Sequence, residues 1–363
     1  MKKILILSND GGGLISFRRE LISLLAETYA VTVCIPDEIN RERIESLGAK
    51  VIVYEMRRRS TNPVRDLKLM KTLKAILRSE KPDLALTYTI KPNVYGGMVC
   101  RKLGIPYLAN VTGMGTSIEN GGFLARISLF LYRQGLKGAA CVFFQNSSNH
   151  AFFVDKGILS GKARIVPGSG VNLSAHPLRP YPEDTAQTRF LFIGRIMKDK
   201  GIEELLYAIS ALHEQDPTVC LDIVGRFDEA YQQTVQKAEE GGFVKFHGPQ
   251  IDVNPFIWRS HCVVLPSYHE GMSNVMLEAA SCGRPVITTT VPGCAETFDE
   301  GVTGFGCKPG DGDSLLAAMN RFLSLSHQKR AEMGLCGRKK MCREFDRKLV
   351  IDAYLEEIRA CIP

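Results

Sequence analysis

Lys3-Ile4-Leu5-Ile6-Leu7-Ser8, followed by Asn9-Asp10-Gly11-Gly12-Gly13, reads as a short buried strand that runs through a glycine turn into a helix. The same order returns at Arg189–Gly194, RFLFIG, which leads into Arg195–Gly201, RIMKDKG. Between these two starts, short apolar runs at Ala30–Ile35, Lys50–Glu55, Asp83–Tyr88, Pro106–Val111 and Ala139–Phe144 alternate with amphipathic stretches. After the second start, strands are expected at Val219–Gly225, Val244–His247, His261–Pro266 and Pro285–Thr289. Helices are expected near Gly201–Glu214, Asn274–Ser281 and Ser314–Leu325. Strands that alternate with helices predict a parallel, doubly wound α/β sheet. Two such series predict two Rossmann-like domains, with ligand sites at the C-terminal ends of the strands. The pattern breaks at Ala175–Thr188, AHPLRPYPEDTAQT, whose prolines predict a linker at 176–188 between domains 1–175 and 189–346.

A chain of 363 residues with 45% hydrophobic and 23% charged residues can bury two ordinary cores and is neither disordered nor fibrous. No apolar run reaches the roughly 18 residues that a spanning helix needs. Met1-Lys2-Lys3 runs straight into a strand, so neither a signal peptide nor an anchor is expected. The 11 cysteines are scattered without a CxxC pair and read as reduced thiols in a cytoplasmic protein. The net charge of +7 is unevenly placed: residues 1–175 carry 25 basic and 13 acidic side chains, and residues 176–363 carry 21 and 26. The basic half should therefore face something anionic.

Three stretches carry chemistry. In the first, Gly11, Gly12 and Gly13 allow positive φ and close backbone approach, and the helix behind them offers free N–H groups to a phosphate. A plain tight strand–helix turn is the alternative reading, though such loops usually sit at ligand clefts. With Asp37 after the second strand they also partly match a dinucleotide fingerprint, although Ser16 stands where the third glycine belongs. In the second stretch, Arg195 and Lys200 lie where a strand end meets a helix start and can hold a diphosphate; alone they would be a solvated basic turn. The third is Pro266–Ala279, PSYHEGMSNVMLEA. Glu270 lies in the loop, Ser273 is a fitting N-cap, and Glu278 lies in the helix with seven residues between the two carboxylates. Amides of Gly271–Asn274 are available for phosphate. The Asp-x-Asp of Asp311-Gly312-Asp313 resembles a divalent-metal motif, but a turn and N-cap before Ser314 explain it.

These residues resemble the family 4 glycosyltransferases, retaining enzymes of GT-B architecture in which two doubly wound Rossmann-like domains face a central cleft. The glycine loop, Gly194-Arg195 with Lys200-Gly201, and Glu270-Gly271 with Glu278 carry the resemblance over the whole chain. Ser16-Phe17-Arg18-Arg19 and Tyr88-Thr89-Ile90-Lys91-Pro92-Asn93 resemble the branch that extends polyprenyl-diphosphate-linked sugars. The resemblance implies that Arg195 and Lys200 hold and stabilise the leaving nucleoside diphosphate, that Glu278 binds ribose hydroxyls, and that Glu270 contacts the donor sugar. Gly11, Gly12 and Gly13 and the segment Gly271, Met272, Ser273 and Asn274 would wrap the phosphates and sugar. The base, uracil by that branch, would rest near Gly225-Arg226 and Gly248–Gln250. Arg18, Thr112 and Gly113 would lie on the acceptor side, Thr112 standing where many members have His. The C-terminal helix, within 347–363, would return to the N-terminal domain. No cofactor and no metal are expected, and the seven histidines read as structural.

The implied acceptor is a lipid-linked saccharide and the donor a nucleotide-diphosphate sugar. Residues 57–81 hold nine basic side chains from Arg57 to Lys81 against Asp66 and Glu80. The segment Phe123–Lys137, FLARISLFLYRQGLK, adds Arg126, Arg133 and Lys137 to a dense apolar run. That pairing fits an anionic inner membrane surface and a peripheral location, while a buried packing helix fits Phe123–Lys137 equally. No nucleic-acid platform is visible. A nucleotide-sugar 2-epimerase, a nicotinamide dehydrogenase and a non-catalytic nucleotide-sugar sensor remain the alternatives.

Overall fold

A computed structural model describes residues 1–56, 62–113, 118, 121–184 and 187–363. Arg57, Arg58 and Arg59 of the basic segment, and Met114 and Gly115 beyond Thr112 and Gly113, lie outside the described residues. The chain forms two compact units. The first joins Met1–Ser169 to Lys348–Pro363, and the second is Gly170–Arg347.

Among the described residues, the first unit holds strands β1 (Lys3–Leu7), β2 (Ala30–Ile35), β3 (Lys50–Val53), β4 (Leu84–Tyr88), β5 (Tyr107–Val111), β6 (Cys141–Phe144) and β7 (Ala163–Ile165). They make one parallel sheet in the order β3-β2-β1-β4-β5-β6-β7, with Ile4 opposite Val31 on one side and Leu84 on the other. The central strands are apolar at nearly every position because helices cover both faces. Ile4 and Ile6 join Leu14, Leu21 and Tyr354 in one core, and Leu5 and Leu7 join Leu73, Val99 and Tyr132 in the other. The helix Arg347–Cys361 gives Val350, Ala353, Tyr354 and Ile358 to the first of these cores.

The second unit holds β8 (Thr188–Ile193), β9 (Val219–Val224), β10 (Val244–Phe246), β11 (Cys262–Leu265), β12 (Val286–Thr289) and β13 (Gly304–Cys307), again all parallel, in the order β10-β9-β8-β11-β12-β13. Strand order therefore reverses between β1 and β4 in one sheet and between β8 and β11 in the other. Loops leaving neighbouring strands part at such a point and open a crevice.

Three expectations need correction. Gly11, Gly12 and Gly13 are the first turn of helix Gly11–Thr28, and none of them has positive φ. Their smallness serves packing: a Cβ on Gly11 would lie 3.1 Å from the Asn40 Cβ, and one on Gly13 would lie 2.9 Å from Asp10 Oδ2. The stretch 176–188 is not a free linker, since its described residues are strapped to the second unit, whose boundary falls at Gly170. Tyr181 donates to the His261 carbonyl at 2.9 Å. Arg284, fully buried, donates to the carbonyls of Arg179, Pro180, Ile257, Trp258 and Cys282. Burial without a carboxylate pulls that guanidinium down to about 10. Finally, β7 and β13 add an edge strand to each sheet.

Candidate functional site

The crevice between β8 and β11 gathers Lys200, Glu270 and Ser267. After β8 the chain makes a single 3-10 turn, Lys198–Lys200, that ends at Gly201 with φ 71°. A Cβ on Gly201 would lie 2.2 Å from the Pro266 carbonyl oxygen, so glycine is what lets the two loops touch. Ser267 Oγ and the Tyr268 N–H then donate to the Asp199 carbonyl at 3.2 and 2.9 Å. On this scaffold Lys200 Nζ reaches Glu270 Oε1 at 2.5 Å and Ser267 Oγ at 3.4 Å, with both charged side chains mostly buried. Arg195, on the same loop, pairs with Asp228 at 2.7 Å and is more exposed. Each expected phosphate-binding cation is thus held by a carboxylate. Asp228 and Glu270 thereby fix the direction in which the two cations point.

A third loop locks the arrangement. Gly293, φ 84°, lies against the Glu270 and Gly271 carbonyls, where a Cβ would be 2.4 and 2.8 Å away. Its own carbonyl accepts from the Ser273 N–H at 2.7 Å. That amide is therefore spent on the protein and not offered to phosphate. Ser273 precedes helix Asn274–Ser281 as expected but makes no side-chain cap bond; its buried Oγ has no partner among the described residues. Met272 is a core side chain, so only its backbone can face a ligand. Asn274 Nδ2 donates to the Met272 carbonyl at 3.4 Å.

Glu278, on that helix, keeps 20% of its side chain exposed, yet burial pushes its carboxyl up to about 7 while Arg347 pulls it down. Its Oε1 lies 3.9 Å from His176 Nε2. His176 Nδ1 faces Asn254 Oδ1 at 2.8 Å, and burial lowers its basicity. His176 is not marked in the sequence, since a histidine opening a proline-rich stretch has no periodicity to set it apart. Gly225, φ 151°, sits against the Gly194 carbonyl and donates its N–H to the Gly248 carbonyl at 3.0 Å. The two segments expected to meet a base are therefore neighbours. Asp311 caps helix Gly312–Leu323 by accepting from the Ser314 N–H at 2.8 Å, and Asp313 accepts from the Tyr207 hydroxyl at 2.7 Å, so both carboxylates of Asp-x-Asp have structural work.

The crevice between β1 and β4 is different in kind. Arg18 is 4% exposed and lies beside the stacked rings of Tyr88 and Tyr354, 5.4 and 5.6 Å from their centroids. Its Nη1 donates to the Phe17 carbonyl at 2.8 Å, and its Nε has no partner among the described residues. Asn110 Nδ2 donates to the Tyr354 hydroxyl at 2.5 Å. Thr87 donates to Asn93 Oδ1, and Asn93 to the Asn110 carbonyl, both at 2.7 Å. Arg18, expected on the acceptor side, is thus a buried side chain packed on the aromatic pair. Thr112 and Gly113, half-buried, follow β5 directly, and a Cβ on Gly113 would meet nothing within 4 Å. Asp37 accepts from the Ile39 N–H at 3.1 Å, a turn-forming bond.

Residues 187–324 match the family described as "Glycosyl transferases group 1", and residues 3–146 match "Glycosyl transferase 4-like". The chain is 29% identical over 325 residues to the Campylobacter jejuni N,N'-diacetylbacillosaminyl-diphospho-undecaprenol alpha-1,3-N-acetylgalactosaminyltransferase, covering 84% of this chain and 85% of that one. Two solved structures share the fold. HepE of Anabaena, in complex with UDP and glucose, superposes with a TM-score of 0.78 at 19% identity over 99% of this chain and 100% of its own. Sucrose-phosphate synthase of Thermosynechococcus elongatus superposes with 0.82 at 22% identity over 99% of each chain.

Proposed function

The chain belongs to the family 4 glycosyltransferases and has their GT-B fold of two parallel-sheet Rossmann-like units, and from that premise we propose that it moves a hexose or N-acetylhexosamine from a UDP-sugar to a hydroxyl of a lipid-diphosphate-linked saccharide. The observation that carries the reading is the Lys200–Glu270–Ser267 cluster at the β8/β11 crevice, with Glu278 on the next helix. Cell-surface glycan assembly is the setting that the Campylobacter relative supports. The relative's undecaprenyl-borne substrate also supports a peripheral position at the inner face of the cytoplasmic membrane.

In the proposed reaction the bond from the anomeric carbon to the diphosphate oxygen breaks, and a bond to the acceptor oxygen forms on the same face. The acceptor proton passes to a donor phosphate oxygen, and UDP leaves. Charge grows on the diphosphate in the transition state, where Arg195 and Lys200, already oriented, stabilise it. Glu270, released from Lys200, lies next to the donor sugar. Glu278 accepts from the ribose hydroxyls. Two fixed cations supply the charge that a divalent ion would otherwise bring.

Incubation with a panel of UDP-sugars and membrane lipid extract tests this. UDP release and a heavier lipid product, both dependent on extract and undiminished by EDTA, are expected. Sugar conversion without acceptor overturns the transfer reading in favour of an epimerase, and a strict Mn²⁺ or Mg²⁺ requirement overturns the metal-independent step.

A further inference from the structure

Helix Gly122–Leu136 has two sides of opposite character. Ala125, Tyr132, Gly135 and Leu136 are buried, and Gly135 packs so tightly that a Cβ there would lie 2.4 Å from the Val94 Cα. The other side exposes Phe123, Leu124, Ile127 and Phe130 to 75%, 56%, 40% and 60%. At 100° per residue Phe123, Ile127 and Phe130 share one stripe, and Arg126, Arg133 and Lys137, all exposed, line its edge. The helix contains no Asp or Glu. Arg126 and Arg133 have no ion-pair partner among the described residues. On the same face of the sheet lies helix Pro63–Glu80, which buries Leu69, Leu73 and Leu77 in the core that also takes Tyr132 and Leu136. Its start leaves Val64 and Leu67 exposed beside Arg65, Lys68 and Lys71.

Two helices on one face of the sheet, both packed against the helical segment 92–103, that expose aromatic and aliphatic side chains beside cations do not suit water. A second copy of the chain meeting this face about a two-fold axis would set Arg126 and Arg133 against themselves, with no carboxylate on the helix to relieve them. An anionic bilayer meets both features: apolar side chains enter the acyl boundary, and the guanidinium groups stay among the headgroup phosphates. We propose that the exposed face of helix Gly122–Leu136, aided by the start of helix Pro63–Glu80, docks this protein on an anionic lipid bilayer. The inference deepens the lipid-acceptor reading and rests on it for its purpose.

Co-sedimentation of the full chain with vesicles of phosphatidylethanolamine and phosphatidylglycerol, beside vesicles of phosphatidylcholine alone, tests it. Preferential binding to the anionic vesicles is expected. Phe123→Ser with Phe130→Ser should lower the partition by about tenfold or more, with UDP binding and the unfolding temperature preserved. Phe130→Trp should shift its emission to the blue on binding and be quenched by brominated acyl chains. A parent chain that ignores the anionic vesicles, or a double variant that binds them like the parent, overturns the surface whatever the transfer assay gives. So does light scattering that shows a dimer which the double variant dissociates. Vesicle binding as expected, without sugar transfer, leaves the surface standing and defeats the catalytic reading alone.

Discussion

At the β1/β4 crossing the first unit folds its charge inward, and at the β8/β11 crossing the second unit holds its charges at the rim. Arg18 is buried beside the stacked rings of Tyr88 and Tyr354, and Thr87, Asn93 and Asn110 form a neutral run of hydrogen bonds that ends on the Tyr354 hydroxyl. Lys200, Glu270, Arg195 and Asp228 are paired in the second unit but keep part of their surface free. The same parallel topology thus provides two crevices, and their described side chains differ: one buries a guanidinium beside aromatic rings, and the other holds two cations in ion pairs with carboxylates. Topology fixes where a ligand goes; the charges at the strand ends fix what it is.

The largest effect should come from Lys200→Ala. Loss of one preoriented cation at the leaving group should lower kcat/KM about 10²–10³-fold, while the unfolding temperature changes little. Equal kcat/KM in variant and parent would break the contrast between the crevices. Glu278→Gln should show next, through pH. A folded chain binds this proton more tightly than an unfolded one, so the carboxyl costs no stability below about pH 4.5 and imposes its full penalty above about pH 7. Relative to the parent, the variant should gain stability on going from about pH 5 to about pH 8, by up to about 3 kcal/mol, read by urea unfolding at both pH values. A gap independent of pH would show that the parent carboxylate is well solvated. The smallest effect on the donor should come from Arg18→Ala. Loss of two cation–π contacts should cost the fold about 1–2 kcal/mol, and UDP affinity by calorimetry should stay unchanged. A tenfold loss of UDP affinity would mean that the first unit's crevice also reads the donor.

Much of this was legible in the chain. Ala30–Ile35 and Asn274–Ser281 fall where pattern and propensity place them, because an apolar run bounded by turn residues has few alternatives. Glu270 and Glu278 were visible from their place around a strand–loop–helix junction. Strand Gly304–Cys307, GFGC, was not: two glycines and four residues give no periodicity, and its pairing with β12 is what makes it a strand. The stretch 176–188 misled because proline reports the lack of a helix or strand, not the lack of packing. The Arg284 contacts that strap it down come from a residue about a hundred positions away. Gly11–Gly13 misled for the opposite reason: glycine permits positive φ but does not require it, and here Asn40 and Asp10 crowd the helix start. His176 beside Glu278 arises only from tertiary packing.

The chain leaves the first unit after Ser169 and returns to it at Lys348, so the second unit is an insertion within the first. Val350, Tyr354 and Ile358 complete a core whose other members begin at Ile4. On the ribosome every residue of Gly170–Arg347 is made before that core can close. The half of the molecule translated first is thus the last to finish folding, and until then its sheet waits with one helix-sized gap on an apolar face.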